Sequence, residues 1–206
     1  INALKLQDRV KSDYPGFEGM ADMLFTAGDL ASKAADYDQA RKYFLQIPTL
    51  RPGSAIAAAA LGRAGDSSFA LYSKTFKKEY LKEAAEQYKK VLKSNKISAQ
   101  TRVQAAYKLG RCYESMDDHR DAALNKYCEA VFSVDPAKAG EIPEPEKVWI
   151  VKSAYAAARI YAKPGGKPED AANAVRIYQL MKKMNLQTGE RFDQLISKLK
   201  DQYRLR

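Results

Sequence analysis

The sequence predicts an all-α protein assembled from repeated helix pairs. Three observations carry that expectation. Apolar residues recur at helical spacing along most of the chain, and no segment sustains the alternation of a strand. Proline and glycine cluster where such helices would end, at Tyr14-Pro15-Gly16, Arg51-Pro52-Gly53, Asp135-Pro136 and the stretch from Lys163 to Pro168. A triplet made of Ala, an aromatic four residues on and a small or aliphatic residue three later returns four times.

Taken in order, residues 2–13 read as one amphipathic helix ending at Tyr14-Pro15. Small residues then recur at Gly28, Gly62, Gly110 and Ala158, spaced 34, 48 and 48 apart. After each comes a second helix carrying its triplet: Ala40/Phe44/Ile47, Ala84/Tyr88/Val91, Ala123/Tyr127/Ala130 and Ala174/Tyr178/Met181. The i, i+4, i+7 spacing places each triplet on one helix face. Two helices approach closely only where small residues meet, and the ring fills the space beside them. Start signals agree with this division. Asp36 with Gln39 has the form of a capping box, and Ser54 and Ser98 can accept from free N–H groups at a helix start. Pro168 suits a first helical position, with Glu169 and Asp170 placed at the positive end of the dipole. Residues 55–74 form a long helix made slim by Ala55, Ala57 to Ala60, Gly62, Ala64 and Gly65, which suits close packing between neighbours. A last helix over residues 188–205 sets Phe192, Leu195, Ile196 and Leu199 on one face, as a cover for the final core.

The pattern resembles the tetratricopeptide repeat, a helix–turn–helix unit with Leu-Gly-x-x-Tyr in its first helix and Ala, Phe/Tyr, Ala, then Pro in or after its second. Leu109-Gly110-Arg111-Cys112-Tyr113 followed by Ala123, Tyr127, Ala130 and Pro136 is the best match. Ala27-Gly28 with Ala40, Phe44 and Pro52 is the next; Leu61-Gly62 with Ala84 and Tyr88, and Ala157-Ala158 with Ala174 and Tyr178, complete the set. The resemblance implies a right-handed superhelical solenoid of antiparallel helix pairs with a C-terminal capping helix. It divides one domain over 1–206 into repeats 20–54, 55–97, 98–136 and 144–185, with a capping helix at 188–205. Residues 1–15 would be the end of a preceding repeat, so a chain that opens on Ile1 is expected to be cut from a longer protein. The Tyr-Pro ending is similar to repeats of bacterial envelope-assembly and lipoprotein scaffolds, which points to an envelope or periplasmic setting.

Composition narrows the function classes. The chain has 206 residues and a formal net charge of +10. Its longest unbroken apolar run is the seven residues 55–61, against roughly 20 for a membrane-crossing helix. Basicity is patchy: net 0 over residues 1–54, +6 over 55–102, −3 over 103–150 and +7 over 151–206. Such a field attracts acidic proteins or phosphates, but lacks the continuous stripe of most nucleic-acid binders. The one histidine, His119, has no Ser or Cys nucleophile beside it and reads as a solvated turn residue. Two cysteines and one histidine do not make a zinc site, and Cys112 and Cys128 read as reduced, packed thiols. Gly165-Gly166 lacks the strand and the Lys-Ser/Thr sequel of a phosphate loop. Asp117/Asp118 are expected to cap a helix and Glu141/Glu144/Glu146 to be solvated. No cofactor and no metal is implied, and the chain is expected not to be an enzyme.

The groove is the candidate site. By resemblance, the residues after each small residue face the concave surface: Asp29, Arg63, Arg111 and Arg159, with Phe25, Ala59, Tyr107 and Tyr155 four residues earlier. Tyr107 with Arg111 and Tyr155 with Arg159 share a helix face. Arginine offers a rigid fork to carboxylates, and tyrosine offers flat apolar area. Arg63, Tyr107, Arg111, Tyr155 and Arg159 are therefore expected to bind an acidic peptide or partner subunit. The bland alternative is a set of solvated faces, with Arg63–Asp66 and Arg111–Glu114 as i, i+3 pairs and Ala162 opposite Arg159. The Lys/Asn clamp that some members of the family use for chaperone tails is not reproduced. A basic helical-repeat nucleic-acid module and the docking module of a larger enzyme stand as the other readings. Unequal spacings break the one-repeat-per-base code of helical RNA readers.

Overall fold

The structure, a computed structural model, describes residue 9, residues 12–13, residues 18–186 and residues 192–205. Most of the expected helix over residues 2–13, and residues 188–191 of the last helix, lie outside the described residues. The chain forms two compact units, residues 1–97 and residues 98–206. Among the described residues every regular element is helical.

The first unit holds α1 (Met20–Lys33), α2 (Tyr37–Leu50), α3 (Ala55–Thr75) and α4 (Lys78–Lys93), and each helix packs against the next. The second holds α5 (Ala99–Glu114), α6 (Arg120–Val131), a 3-10 turn (Pro136–Glu141), α7 (Glu144–Tyr161), α8 (Pro168–Lys183) and α9 (Phe192–Tyr203). There α5 packs on α6, α6 on α7, α7 on α8 and α8 on α9, and α5 also lies against α7.

Helix starts follow local chemistry. The Asp36 carboxylate accepts from the Gln39 N–H at 3.1 Å, Ser54 Oγ from Ala57 at 3.2 Å, and Ser98 Oγ from Thr101 at 3.1 Å. Each satisfies an amide that the helix itself leaves open. Pro168 opens α8 as expected. Asp117 and Asp118 do not cap α6. His119 sits at the cap position without a side-chain bond to the helix, and Asp118 takes a left-handed φ of 58° in the turn. The imidazole instead meets the Asp117 carbonyl at 2.5 Å and stacks on Tyr113. The acidic run before α7 also divides. Glu144 is exposed and pairs with Lys147 at 2.6 Å, whereas Glu146, expected to be solvated, is buried in the first turn of α7.

The cores are built from rings seated on glycine. A Cβ placed on Gly28 would come within 2.6 Å of the Phe44 ring, and one on Gly110 within 2.6 Å of Tyr127. In the α3–α4 pair the seat is not Gly62, which has nothing within 4 Å of a Cβ, but Gly65, whose Cβ would meet Tyr88 at 2.8 Å. The repeat register assigned to α3 therefore moves by three residues. The residue after the seat becomes Asp66, which accepts the Tyr88 hydroxyl at 2.6 Å, and Arg63 leaves the row shared by Arg111. Three residues before the seat, Phe25 and Tyr107 add second rings, 5.4 Å from Phe44 and 5.8 Å from Tyr127. Tyr155 does the same toward Tyr178 at 5.9 Å. At this position α3 has Gly62 and contributes no ring.

A polar clamp joins α2 to α4. Both carboxylate oxygens of Glu83 lie 2.7 Å from Arg41 Nη1, and Arg41 Nη2 donates to Asp38 at 2.8 Å. The hydrogen bonds from Lys42 and then Arg41 hold the Asp38 carboxyl below its ordinary range.

Candidate functional site

The packing of α5 against α7 in the second unit brings aromatic and basic side chains to one place. Tyr107 on α5 lies 5.6 Å from the Trp149 ring on α7 and 5.8 Å from Tyr127 on α6. Two ammonium groups sit over that same indole, Lys152 Nζ at 4.5 Å and Lys108 Nζ at 5.6 Å from the ring centroid. Both distances are within the range in which a cation is drawn to the electron-rich face of a ring. Six residues further along α7, Tyr155 packs against Tyr178 at 5.9 Å and Phe192 at 5.8 Å. Beside it opens a cleft of about 390 Å³, walled by Val148, Val151, Tyr155 and Leu186 and edged by Lys152 and by the Lys147–Glu144 ion pair.

Arg159 follows on the same helix, its side chain 66% exposed. Its guanidinium does have a partner, but across the helices rather than three residues on. Arg159 Nη2 is 2.6 Å from one oxygen of Glu114 at the end of α5, whose other oxygen accepts the Tyr127 hydroxyl at 2.9 Å. Burial, and then the neighbouring Glu114 carboxylate, push the Tyr127 hydroxyl well above the ordinary tyrosine range. A second cleft of about 390 Å³ lies at this end, between Glu114, His119, Arg120, Arg159 and Lys163. Arg120 spans it, donating to the Ile160 carbonyl at 3.0 Å and standing 3.7 Å from Asp170.

The five residues expected to line one groove thus divide. Tyr107, Arg111, Tyr155 and Arg159 are on α5 and α7 of the second unit, where Arg111 is exposed and the two tyrosines are half-buried by their ring partners. Arg63 is on α3 of the first unit, where its guanidinium is held by the Asp29 carboxylate of α1 rather than by Asp66. Sequence reasoning did not single out Trp149, Lys108 or Lys152. The available signal was the single tryptophan of the chain, with a lysine three residues on and another directly after Tyr107.

Cys112 and Cys128 are free thiols. Burial pushes the Cys128 thiol up, while its hydrogen bond with Tyr161 works the other way. Among the described residues there is no group of three or more His, Cys, Asp or Glu able to hold a metal ion, and no helix long and apolar enough to cross a membrane. No protein-family model matches the chain, and no curated protein matches it.

Proposed function

We propose that this chain is a non-enzymatic interaction scaffold of the tetratricopeptide type, whose second unit binds an acidic, partly apolar peptide along α5 and α7. In this reading the helix pairs are antiparallel and wind as a right-handed superhelix, so the first helix of each pair lines the concave side. The observation that carries the binding role is the convergence of Tyr107, Lys108 and Lys152 on Trp149. A ring with two ammonium groups on it offers a flat apolar platform and a carboxylate receptor together. The cleft walled by Val148, Val151 and Leu186 adds room for an apolar side chain next to that acidic group. Arg111 and Arg159 extend the basic character along the same two helices.

Trp149 is the only tryptophan, so its emission reports on the platform directly. Titration with a synthetic peptide of alternating Glu and Leu should change that emission to saturation, more weakly at high salt. The Lys108→Glu/Lys152→Glu variant, with an unchanged helical circular dichroism spectrum, should lose the response. A variant that still binds with the parent affinity would refute the assignment.

A further inference from the structure

The turn between α3 and α4 carries an aromatic residue in a setting that folding does not reward. Phe76 is 77% exposed and has a left-handed backbone with φ of 55°. That conformation favours glycine and is uncommon for a bulky side chain. The ring continues a ridge along the last turns of α3, 6.3 Å from Tyr72, which is itself 6.0 Å from Phe69. Residues 73–79 are all exposed. In sequence the ring is flanked by Lys74, Lys77, Lys78 and Lys82, and Glu79 is the single acidic residue between positions 69 and 82. Lys74 is braced against the α1–α2 turn, its Nζ 4.6 Å from the Tyr37 ring and 3.3 Å from the Ala35 carbonyl.

We propose that this tip docks on the surface of an anionic lipid bilayer, the Phe76 ring entering the headgroup layer with Lys77 and Lys78 over the phosphates. Charge complementarity selects the occupant: aromatic rings favour the bilayer interface, and lysines near an anionic leaflet add to the attraction one by one. A single protruding ring on a turn offers a rigid protein partner little of the area that a stable interface buries. A fluid surface closes around such a knob without needing a matching pocket. The tip belongs to the first unit and shares no residue with the peptide platform on the second.

Co-sedimentation of the full chain with phosphatidylcholine vesicles, with and without phosphatidylglycerol, tests it. Binding is expected only to the anionic vesicles and should fall as salt is raised. Phe76→Gly should weaken it about tenfold through loss of the buried ring. The same variant should leave the thermal midpoint equal or higher, because glycine suits the left-handed backbone. Lys77→Glu/Lys78→Glu should abolish binding. Equal binding to both kinds of vesicle, or binding indifferent to Phe76→Gly, overturns the proposal. Phe76-dependent capture of polyglutamate by a chain that ignores vesicles also overturns it, and assigns the tip to an acidic protein instead.

Discussion

Two alanine substitutions three residues apart in α3 separate the register of the structure from the one expected from sequence spacing. Replacing a helix-interior glycine by alanine gains about 1 kcal/mol of helix propensity at either position. At Gly62 a Cβ has nothing within 4 Å, so Gly62→Ala should keep that gain. At Gly65 the new Cβ lies 2.8, 2.9 and 3.2 Å from three atoms of the Tyr88 ring. Carbon atoms in contact prefer about 3.5–4.0 Å, so the ring must move. Tyr88 is almost fully buried, and its hydroxyl is tied to Asp66 at 2.6 Å. Shifting the ring strains a packed core, at about 1–3 kcal/mol, and stretches a charge-assisted hydrogen bond worth about 1.5–3 kcal/mol. After the propensity gain, Gly65→Ala should lose about 1–2 kcal/mol, which leaves the two variants about 2–3 kcal/mol apart. For a unit of this size each kcal/mol moves the midpoint by about 4–8 °C. Thermal and urea unfolding followed by far-ultraviolet circular dichroism would measure the difference. If the two variants agree within about 0.5 kcal/mol, or Gly62→Ala is the damaging one, the ring does not sit on Gly65 and the reasoning is wrong.

Arg41→Lys should destabilise the first unit by about 1–2 kcal/mol, since one ammonium cannot span both Glu83 and Asp38 from a side chain that is only 20% exposed; urea midpoints would show it, and parent-like stability would contradict the clamp. Tyr127→Phe should remove about 1.5–2 kcal/mol by withdrawing the hydroxyl from Glu114, with the ring contact to Tyr107 retained. The Cys128 thiol and the Tyr127 hydroxyl both hold their protons in the folded chain to higher pH than in the unfolded one. Between those values the folded state binds more protons, so stability should fall as pH rises above the ordinary thiol range near about 8.5 and again above about 10. Urea unfolding across that range checks the sign, and Cys128→Ala should flatten the first part of the decline.

Features set by neighbouring residues were legible. The caps at Asp36, Ser54 and Ser98 depend on bonds to the amide three residues on, and the proline opening α8 on its own fixed φ, and each stands where expected. So were the rings of Phe44, Tyr88 and Tyr127, because the i, i+4, i+7 pattern marks one face whatever lies opposite. The opposite side was harder. In a helix where Ala57, Ala58, Ala60, Gly62, Ala64 and Gly65 are all small, composition does not single out a seat, and only Tyr88 chooses Gly65. Charge partners were illegible for a related reason. Arg63 takes Asp29 and Arg159 takes Glu114, pairs 34 and 45 positions apart in sequence, whereas a search along one helix reaches only three or four residues. Glu146 resembled its solvated neighbours Glu141 and Glu144 because the side of α7 that is covered is decided by tertiary packing. The platform around Trp149 depends on α5 lying beside α7, a contact no single helix pair encodes.

Within each unit, every helix packs on the one that follows it, and the main departures from that order, α1 on α3 and α5 on α7, reach only to the next but one. This has a kinetic consequence. Forming such contacts closes short loops, so little chain entropy is lost before packing begins to compensate. Chains rich in local contacts fold in about microseconds to milliseconds, and slow phases belong to long-range pairing. Stopped-flow refolding of this protein should accordingly be fast. Its slowest steps should trace to isomerisation at prolines such as Pro48, inside α2, and Pro143, at the head of α7, and prolyl isomerase should accelerate them.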